Sequence, residues 1–507
     1  MARKPASFLL NRRDWLVGSS ALVCVVAAAP ATGQSPVRGT LARLKLERYP
    51  SNVGVLVVED RVQSRWRRAE RKPDISSKLA FRSADRFTAA GRVDAGDGGW
   101  WIIDEPVLRS AHAGAVPGLE VDASQEIQAV LDAAALLGRP ADDEGAQYRV
   151  DRSVTLPEGV TWQRANLQAG KPGINVVLVS SNSQLLDFDI RGTGAISRRT
   201  GGPSQVNERA VYPAQDRLRG AVIEGRITNI TVGVHLQPLT EDGEPPAECR
   251  IDVKLTDIVG RAGTAEGYGV LLSPAVRCAV RARATGVQRH AVYLSAGASY
   301  NTVDAVVTNC MQDAITIYSL ASQPPCTGNR LSVDVRGVRV SEGELVGSNS
   351  TCFSIYGKAN QNVAHVTARA RGEANGPAAY AAVLVRGLEG QDGPFPQGNR
   401  LTVDASGVFS GPYVVLSSDA IDTVVEGGRI DGRGSAGVIG FTDTRSNRRT
   451  FRSGGRVSGV TIDGGDSRVA GIVVATERSP VIVEANVHFT RVLSPMRDVT
   501  GKLQRKL

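Results

Sequence analysis

The sequence predicts an all-β solenoid of short parallel strands, and three observations carry that expectation. The first is composition: of 507 residues, aromatics make up only 5 % and glycines number 55. Such a balance suits stacked short strands joined by tight turns better than a helical enzyme. The second is a local pattern, clearest in HAVYLSAGASYNTVDAVVTNCMQDAITIY, from His290 to Tyr318. Val292 and Leu294 alternate with Tyr293 and Ser295, a Gly/Ser/Asn turn follows, and Val303, Ala305 and Val307 mark a second strand before Ile315 and Ile317 restart the pattern. Period-two runs separated by small polar turns indicate strands. The third is recurrence, since a strand pair repeating at a coil-like period indicates a solenoid.

The recurrence can be written out. One strand set reads VGVHLQ (232–237), YGVLLS (268–273), HAVYLS (290–295), DAITIY (313–318), TCFSIY (351–356), AAVLVR (381–386), PYVVLS (412–417), AGVIGF (436–441) and AGIVVA (470–475). A second set precedes it: CRIDVKL (249–255), RCAVRARA (277–284), NTVDAVV (301–307), NRLSVDV (329–335), QNVAHVT (361–367) and NRLTVDA (399–405). Taking Asn301, Asn329, Gln361 and Asn399 as equivalent gives spacings of 28, 32 and 38 residues. Coils of that length with loops of varying size fit a β-helix. The recurrent amide predicts an internal hydrogen-bonding ladder at a turn.

In chain order, residues 1–31 predict an export signal. Arg12 and Arg13 precede an apolar segment from Leu16 to Ala29, and Ala29-Pro30-Ala31 offers a cleavage site. The apolar stretch is too short for a comfortable membrane span. The paired arginines resemble a twin-arginine signal, which exports folded proteins. Periplasmic or secreted localisation without a stable membrane anchor is therefore expected. Beyond this segment lie five cysteines, Cys249, Cys278, Cys310, Cys326 and Cys352. Their odd number and wide spacing predict buried thiols rather than a disulfide framework or a zinc site.

Residues 32–118 predict a small N-terminal region in which VGVLVVE (53–59) and GGWWIIDEP (98–106) read as strands. Trp100 and Trp101 suit sugar stacking or inward packing. A helix is predicted over 122–137, with Asp122 as N-cap, Gln125 at the capping-box position and Gly138 as terminator. Its apolar face is Ile127, Val130, Leu131, Ala134 and Leu137. The solenoid is assigned to 119–490, and residues 491–507 predict a basic tail or end cap.

The helix and its sequel carry a resemblance. Asp122-Ala123-Ser124, Ile127-Gln128 and Leu131-Asp132-Ala133-Ala134 lead into Tyr148-Arg149-Val150 and Leu156-Pro157-Glu158-Gly159-Val160-Thr161. This arrangement resembles the opening of the pectate-lyase-like right-handed parallel β-helix superfamily, whose members include polysaccharide lyases, glycoside hydrolases and phage tailspikes. The resemblance covers roughly residues 110–490. It implies a right-handed β-helix whose helix caps the N-terminal end, and it leaves the reaction open.

The strand alternation supplies candidate site residues. His235, Leu271, Tyr293, Thr316, Ser354 and Leu384 are predicted to face solvent, as are Gln237, Ser273, Ser295, Tyr318, Tyr356 and Arg386. Tyr293, Tyr318, Tyr356, Lys358 and Arg386 then line one face of consecutive coils. Tyrosines offer flat surfaces for sugar rings, and Lys and Arg pair with uronate carboxylates. Elimination from an acidic glycan needs a neutralised carboxylate, a base and an acid. His290, Tyr318, Tyr356 and Lys358 are the catalytic candidates. Tyr293, Arg386, His235 and Asp313 are the substrate-binding ones. Asp313 aligns with His290 one coil on, where a carboxylate would orient the imidazole and raise its basicity.

The formal charge of +9 suits a polyanion. No Lys/Arg run with interleaved aromatics occurs, so no nucleic-acid partner is expected, and an acidic polysaccharide is. A polygalacturonase-type hydrolase would show clustered aspartates and a Gly-His-Gly, which this sequence lacks. No cofactor or metal is indicated, although a calcium site built from acidic residues distant in sequence stays open. The expected function is an exported polysaccharide lyase. A glycoside hydrolase and a non-enzymatic, tailspike-like glycan binder are the alternatives.

Overall fold

The computed structural model of the chain describes residues 37–39, 44, 55–59, 63–69, 72–82, 100–196, 207–260, 266–338, 350–370, 379–388, 395–433, 435, 437–443, 454–465, 469–476 and 479–506. The export signal expected over 1–31 lies outside the described residues. Among the described residues from Gly118 to Lys506 the strands fall into two long sheets, of 20 and 13 strands, and a short pair, Cys326–Thr327 with Ala359–Asn360. Every ladder in both sheets is parallel, each strand pairing with its equivalents in the coils before and after, as in Ala279–Thr285 with Arg250–Thr256 and Thr302–Thr308. The chain passes from one sheet to the other and back in each coil. A parallel β-helix is the result.

The predicted inward rows are the core. Val234, Val270, Val292, Ile315, Phe353, Val383 and Val415 stack in register along the 13-stranded sheet. Leu236, Leu272, Leu294, Ile317, Ile355 and Val385 form the next row, and both rows are fully buried. Each such side chain contributes roughly 1.5–3 kcal/mol over exposure. At the corner beside these rows, Gly233 and Gly269 leave no room for a side chain, because an added Cβ would meet the carbonyl oxygens of Gly269 and Ala291 at 2.3 and 2.5 Å.

The amide ladder is present with one member changed. Asn301 donates through Nδ2 to Asn329 Oδ1 at 3.0 Å, Asn329 to Asn362 at 2.9 Å, and Asn362 to Asn399 at 3.0 Å. Asn362, not Gln361, occupies the third rung. Gln361 stands outside it, exposed and left-handed at φ 54°. Each rung also takes a backbone N–H from the coil below and donates to a carbonyl there. These four side chains are completely buried, so each spare amide group must be satisfied internally. Cys278 continues the stack downward, its N–H bonded to Asn301 Oδ1. All five described cysteines are buried free thiols.

The helix α1 spans Ser124–Leu137. It begins two residues later than predicted because Asp122 ends the strand Gly118–Asp122, paired to Arg149. Asp122 Oδ1 instead accepts the N–H of Ser124 and that of Asp151, stapling the helix start to the first coil. Ile127, Val130, Leu131 and Ala134 are buried in the same core as the solenoid strands. Gly138 closes the helix at φ 61°. Before it, five short strands make a separate sheet in which Trp66 and Trp101 are buried. Trp101 packs inward, and Trp100 lies half-buried beneath Lys72. At the other end, Ser494–Asp498 and Leu503–Lys506 add a last strand to each sheet.

Among the described residues no helix is long and apolar enough to cross a membrane.

Candidate functional site on the outer face of the 13-stranded sheet

The strand register brings most of the predicted residues together. His290, Asp313 and Thr351 occupy one outer row, as the flanking pairs Val292↔Ile315 and Ile315↔Phe353 require. Tyr293, Thr316, Ser354 and Leu384 form the next row, and Ser295, Tyr318, Tyr356 and Arg386 the third. Successive members are about 4.8 Å apart, the spacing of neighbouring strands.

Asp313 is the centre of this face. Its Oδ1 accepts from the backbone N–H and the hydroxyl of Thr351, both at 2.8 Å. Its Oδ2 accepts from Ser354 Oγ at 3.2 Å and from the Tyr356 phenol at 3.3 Å. Burial pushes its carboxyl up to about 6, against the pull of these donors. The Tyr356 phenol is driven well above 10, first by burial and then by Asp313, with Arg386 opposing. Arg386 sits directly across from Tyr356 on the next coil.

A hydrogen-bonded chain continues from Ser354 Oγ to Thr316 Oγ1 at 2.8 Å and on to His290 Nδ1 at 3.2 Å. Tyr293, Tyr318 and Tyr356 climb the face, with ring centroids 6.1 and 6.2 Å apart. Tyr268, which the sequence reading passed over, extends the run, 5.2 Å from Tyr293. Tyr293, Tyr318, Tyr356 and Arg386 are half-buried.

Several expectations change here. His290 does not touch the Asp313 carboxylate. Its Nδ1 bonds the Asp313 backbone carbonyl at 2.8 Å. The imidazole is buried and stacked between Tyr268 and Tyr293. Burial, then Arg289, lowers its pKa to about 3. An imidazole held that low stays neutral and takes up a proton poorly near pH 7. His235, Leu271, Thr316, Ser354 and Leu384 were expected in solvent and are buried. Strand alternation gives the side of the sheet, not what lies over it. Lys358 also departs from the group: its Nζ donates to the Gln323 carbonyl at 3.2 Å, in the neighbouring turn. His235 lies further down the face, accepting at Nδ1 from Arg209 Nε at 3.0 Å.

Thr351 was the main omission. Its signal was available, since it occupies the same strand position as His290 and Asp313. On the 20-stranded sheet, a shallow depression of about 370 Å³ is lined by Asp189, Glu224, Arg226, Asp252, Lys254 and Arg283. Arg226 there is paired to Asp189 at 3.5 Å, and no aromatic ladder accompanies it. Among the described residues no group of three or more His, Cys, Asp or Glu side chains could hold a metal ion.

No protein-family model matches the chain, and no curated protein does. Among solved structures it is similar to the pre-mature gene product 12 of bacteriophage phi29, at 12 % identity and a TM-score of 0.53, over 78 % of this chain and 57 % of that one. It is also similar to the Agl-KA catalytic domain, at 12 % identity and a TM-score of 0.49, over 81 % and 72 % of the two chains. A third is the catalytic unit of a thermostable GH87 alpha-1,3-glucanase from Streptomyces thermodiastaticus strain HF3-3, at 13 % identity and a TM-score of 0.47, over 81 % and 71 %. The likeness is one of fold, the right-handed parallel β-helix.

Proposed function

We propose that this protein binds an acidic polysaccharide along the tyrosine face and cleaves it by β-elimination. The observation that carries the reading is the Tyr356–Asp313 hydrogen bond with Arg386 on the adjoining coil. Arg386 pairs with the uronate carboxylate and lowers the cost of charge developing beside it. Tyr356 oxygen takes the C5 proton while its own phenol proton passes to Asp313. With a pKa of about 6, Asp313 is ionised at neutral pH and free to receive it. The C5–H electrons become the C4–C5 double bond, and the C4–oxygen bond breaks. The Tyr318 phenol, raised above its usual value by burial, stays protonated and supplies the leaving oxygen. The tyrosine rings seat the flanking sugars.

Hydrolysis would need a second carboxylate opposite Asp313. Among the described residues no second carboxylate shares the hydrogen bonds of Asp313, and the Tyr356–Asp313–Arg386 grouping supports the elimination reading. The basic balance of the chain fits an acidic substrate. The paired arginines of the leader fit export to the periplasm or beyond.

The test is incubation of the purified protein with a panel of uronate-containing polysaccharides, following the ultraviolet absorbance of an unsaturated uronate end. Rising absorbance supports elimination. New reducing ends without absorbance would establish hydrolysis, and neither product with retained binding would establish a glycan-binding protein.

A further inference from the structure

Far down the same face from Asp313 lies a second charged group. Arg209 opens the strand Arg209–Pro213, and its row runs Arg209, Val232, Tyr268, His290. Asp313 is the next position, so four coil steps, about 19 Å, separate the two. The guanidinium is held on three sides. Nε donates to His235 Nδ1 at 3.0 Å, Nη1 donates to Asn175 Oδ1 at 3.1 Å, and the Tyr212 ring lies 4.7 Å from the central carbon. All three partners are uncharged.

No carboxylate pairs with Arg209 among the described residues. Glu208, its neighbour in sequence, turns the other way and accepts from the N–H and hydroxyl of Thr193 at 3.1–3.2 Å. Arg209 Nη2 makes no hydrogen bond to a described residue. Because Nδ1 of His235 accepts from Arg209, the ring proton sits on Nε2, beside the Gln237 side chain. Gln237, close by, gives its amide to the Tyr212 hydroxyl.

A half-buried cation held by neutral groups is costly unless an anion completes it. Arginine presents a planar fork that matches a carboxylate edge to edge. We propose that Arg209, fixed by His235, Asn175 and Tyr212, is a remote subsite for the carboxylate of a sugar acid in the same polysaccharide chain. This rests on the tyrosine face being the glycan path. Tyr268 and Tyr293 lie between the two charges, so a bound glycan runs along the solenoid axis with one acidic residue at Arg386 and another at Arg209. His235 is a positioning residue: it fixes the guanidinium without adding charge.

The experiment is calorimetric titration of the full chain carrying Asp313→Asn, so that turnover does not intrude. Hexuronate oligomers are graded from the dimer to lengths beyond about 29 Å, the six coil steps from Arg209 to Arg386, with uncharged gluco-oligomers of matching length. Affinity for the acidic series is expected to step up by about ten-fold once the oligomer spans both charges. The neutral series shows no such step, and Arg209→Gln abolishes it in the acidic one. No step in the parent, an equal step for neutral oligomers, or a step that survives Arg209→Gln overturns the proposal. If Arg209→Gln does not fold, the acidic-against-neutral comparison decides alone. Should no polysaccharide be cleaved while the charge-dependent step persists, the elimination reading fails and this subsite stands.

Discussion

Tyr356 and Asp313 are 43 residues apart in sequence and 3.3 Å apart in the fold, phenol to carboxylate. The strands Ile315–Ser319 and Thr351–Gly357 pair in register, which sets Asp313 beside Thr351 on the neighbouring strand. In the proposed reaction the ionised carboxylate takes the phenol's proton as the phenol oxygen takes that of the substrate. The stacked rings and the arginine of the next coil flank that pair on the same face.

Replacing Asp313 by Asn is therefore expected to lower kcat by at least about 100-fold, the usual size of a lost general-base contribution. In the parent protein kcat/KM should rise with pH through about 6, as Asp313 ionises. The stability effect has the opposite direction. The folded pKa lies above the ordinary 3.8, so the folded state holds the proton more tightly and stability falls as pH climbs from about 4 to 6. The full penalty, on the order of 3 kcal/mol, is present at neutral pH. Thermal melting across that window should show the fall in the parent and a flatter profile in Asp313→Asn. A variant with parental kcat would remove Asp313 from the chemistry.

His290 and His235 give the reverse signature. Burial lowers both pKa values to about 3, with Arg289 and Arg209 adding to it. The unfolded chain takes up protons at these positions near 6.5 while the folded one does not. Stability is then lost as pH falls from 6.5 toward 3. His290→Gln should flatten that acid-side decline in melting temperature and leave the activity limb near 6 in place. A limb that moves with His290→Gln would return the imidazole to the proton-transfer path.

The repeat was legible because inward positions carry Val, Leu and Ile at period two, as in Val292 and Leu294 or Ile315 and Ile317. The third ladder rung slipped by one residue for a physical reason. In the strand Val363–Arg369 the outward Val363 is apolar and 43 % exposed, while the inward Ala364, the next position, is small. A reader following bulk takes Val363 for the core residue and Gln361 for the rung. The outer face was legible as a row and illegible as an environment. Tyr293, Tyr318, Tyr356 and Arg386 fall where alternation puts them, yet whether Ser354 or His290 meets water is decided by neighbouring coils. Arg209 was invisible because its importance lies in lacking a carboxylate, which only the assembled face shows.

The ladder predicts a contrast between adjacent residues. Asn362→Ala removes the acceptor for the Asn329 N–H and Nδ2 and the donor to the Cys326 carbonyl, while Asn399 Oδ1 keeps only the backbone N–H of residue 362. With buried unsatisfied groups costing about 1–3 kcal/mol each, the loss of stability should reach at least about 3 kcal/mol. Gln361→Asn, one residue away, exposed and at a left-handed position that Asn tolerates, should stay within about 0.5 kcal/mol. Urea unfolding of the two variants measures the difference. Equal destabilisation would mean that the rung assignment is wrong.

Arg386 separates charge recognition from ring stacking. In the proposed reaction Arg386, beside Tyr356, takes the uronate carboxylate, whereas Tyr293 offers only a surface. Methyl-esterified polymer carries the same rings without the charge. Arg386→Gln should lower kcat/KM on the acid form by about 100-fold, as expected for a lost charge-assisted pair in a half-buried site. On the ester, already a poorer substrate for the parent, it should fall far less. Tyr293→Ala should weaken both forms by similar factors, through KM. Parallel losses on acid and ester in Arg386→Gln would show that the guanidinium supports the fold of this coil rather than the carboxylate of the substrate.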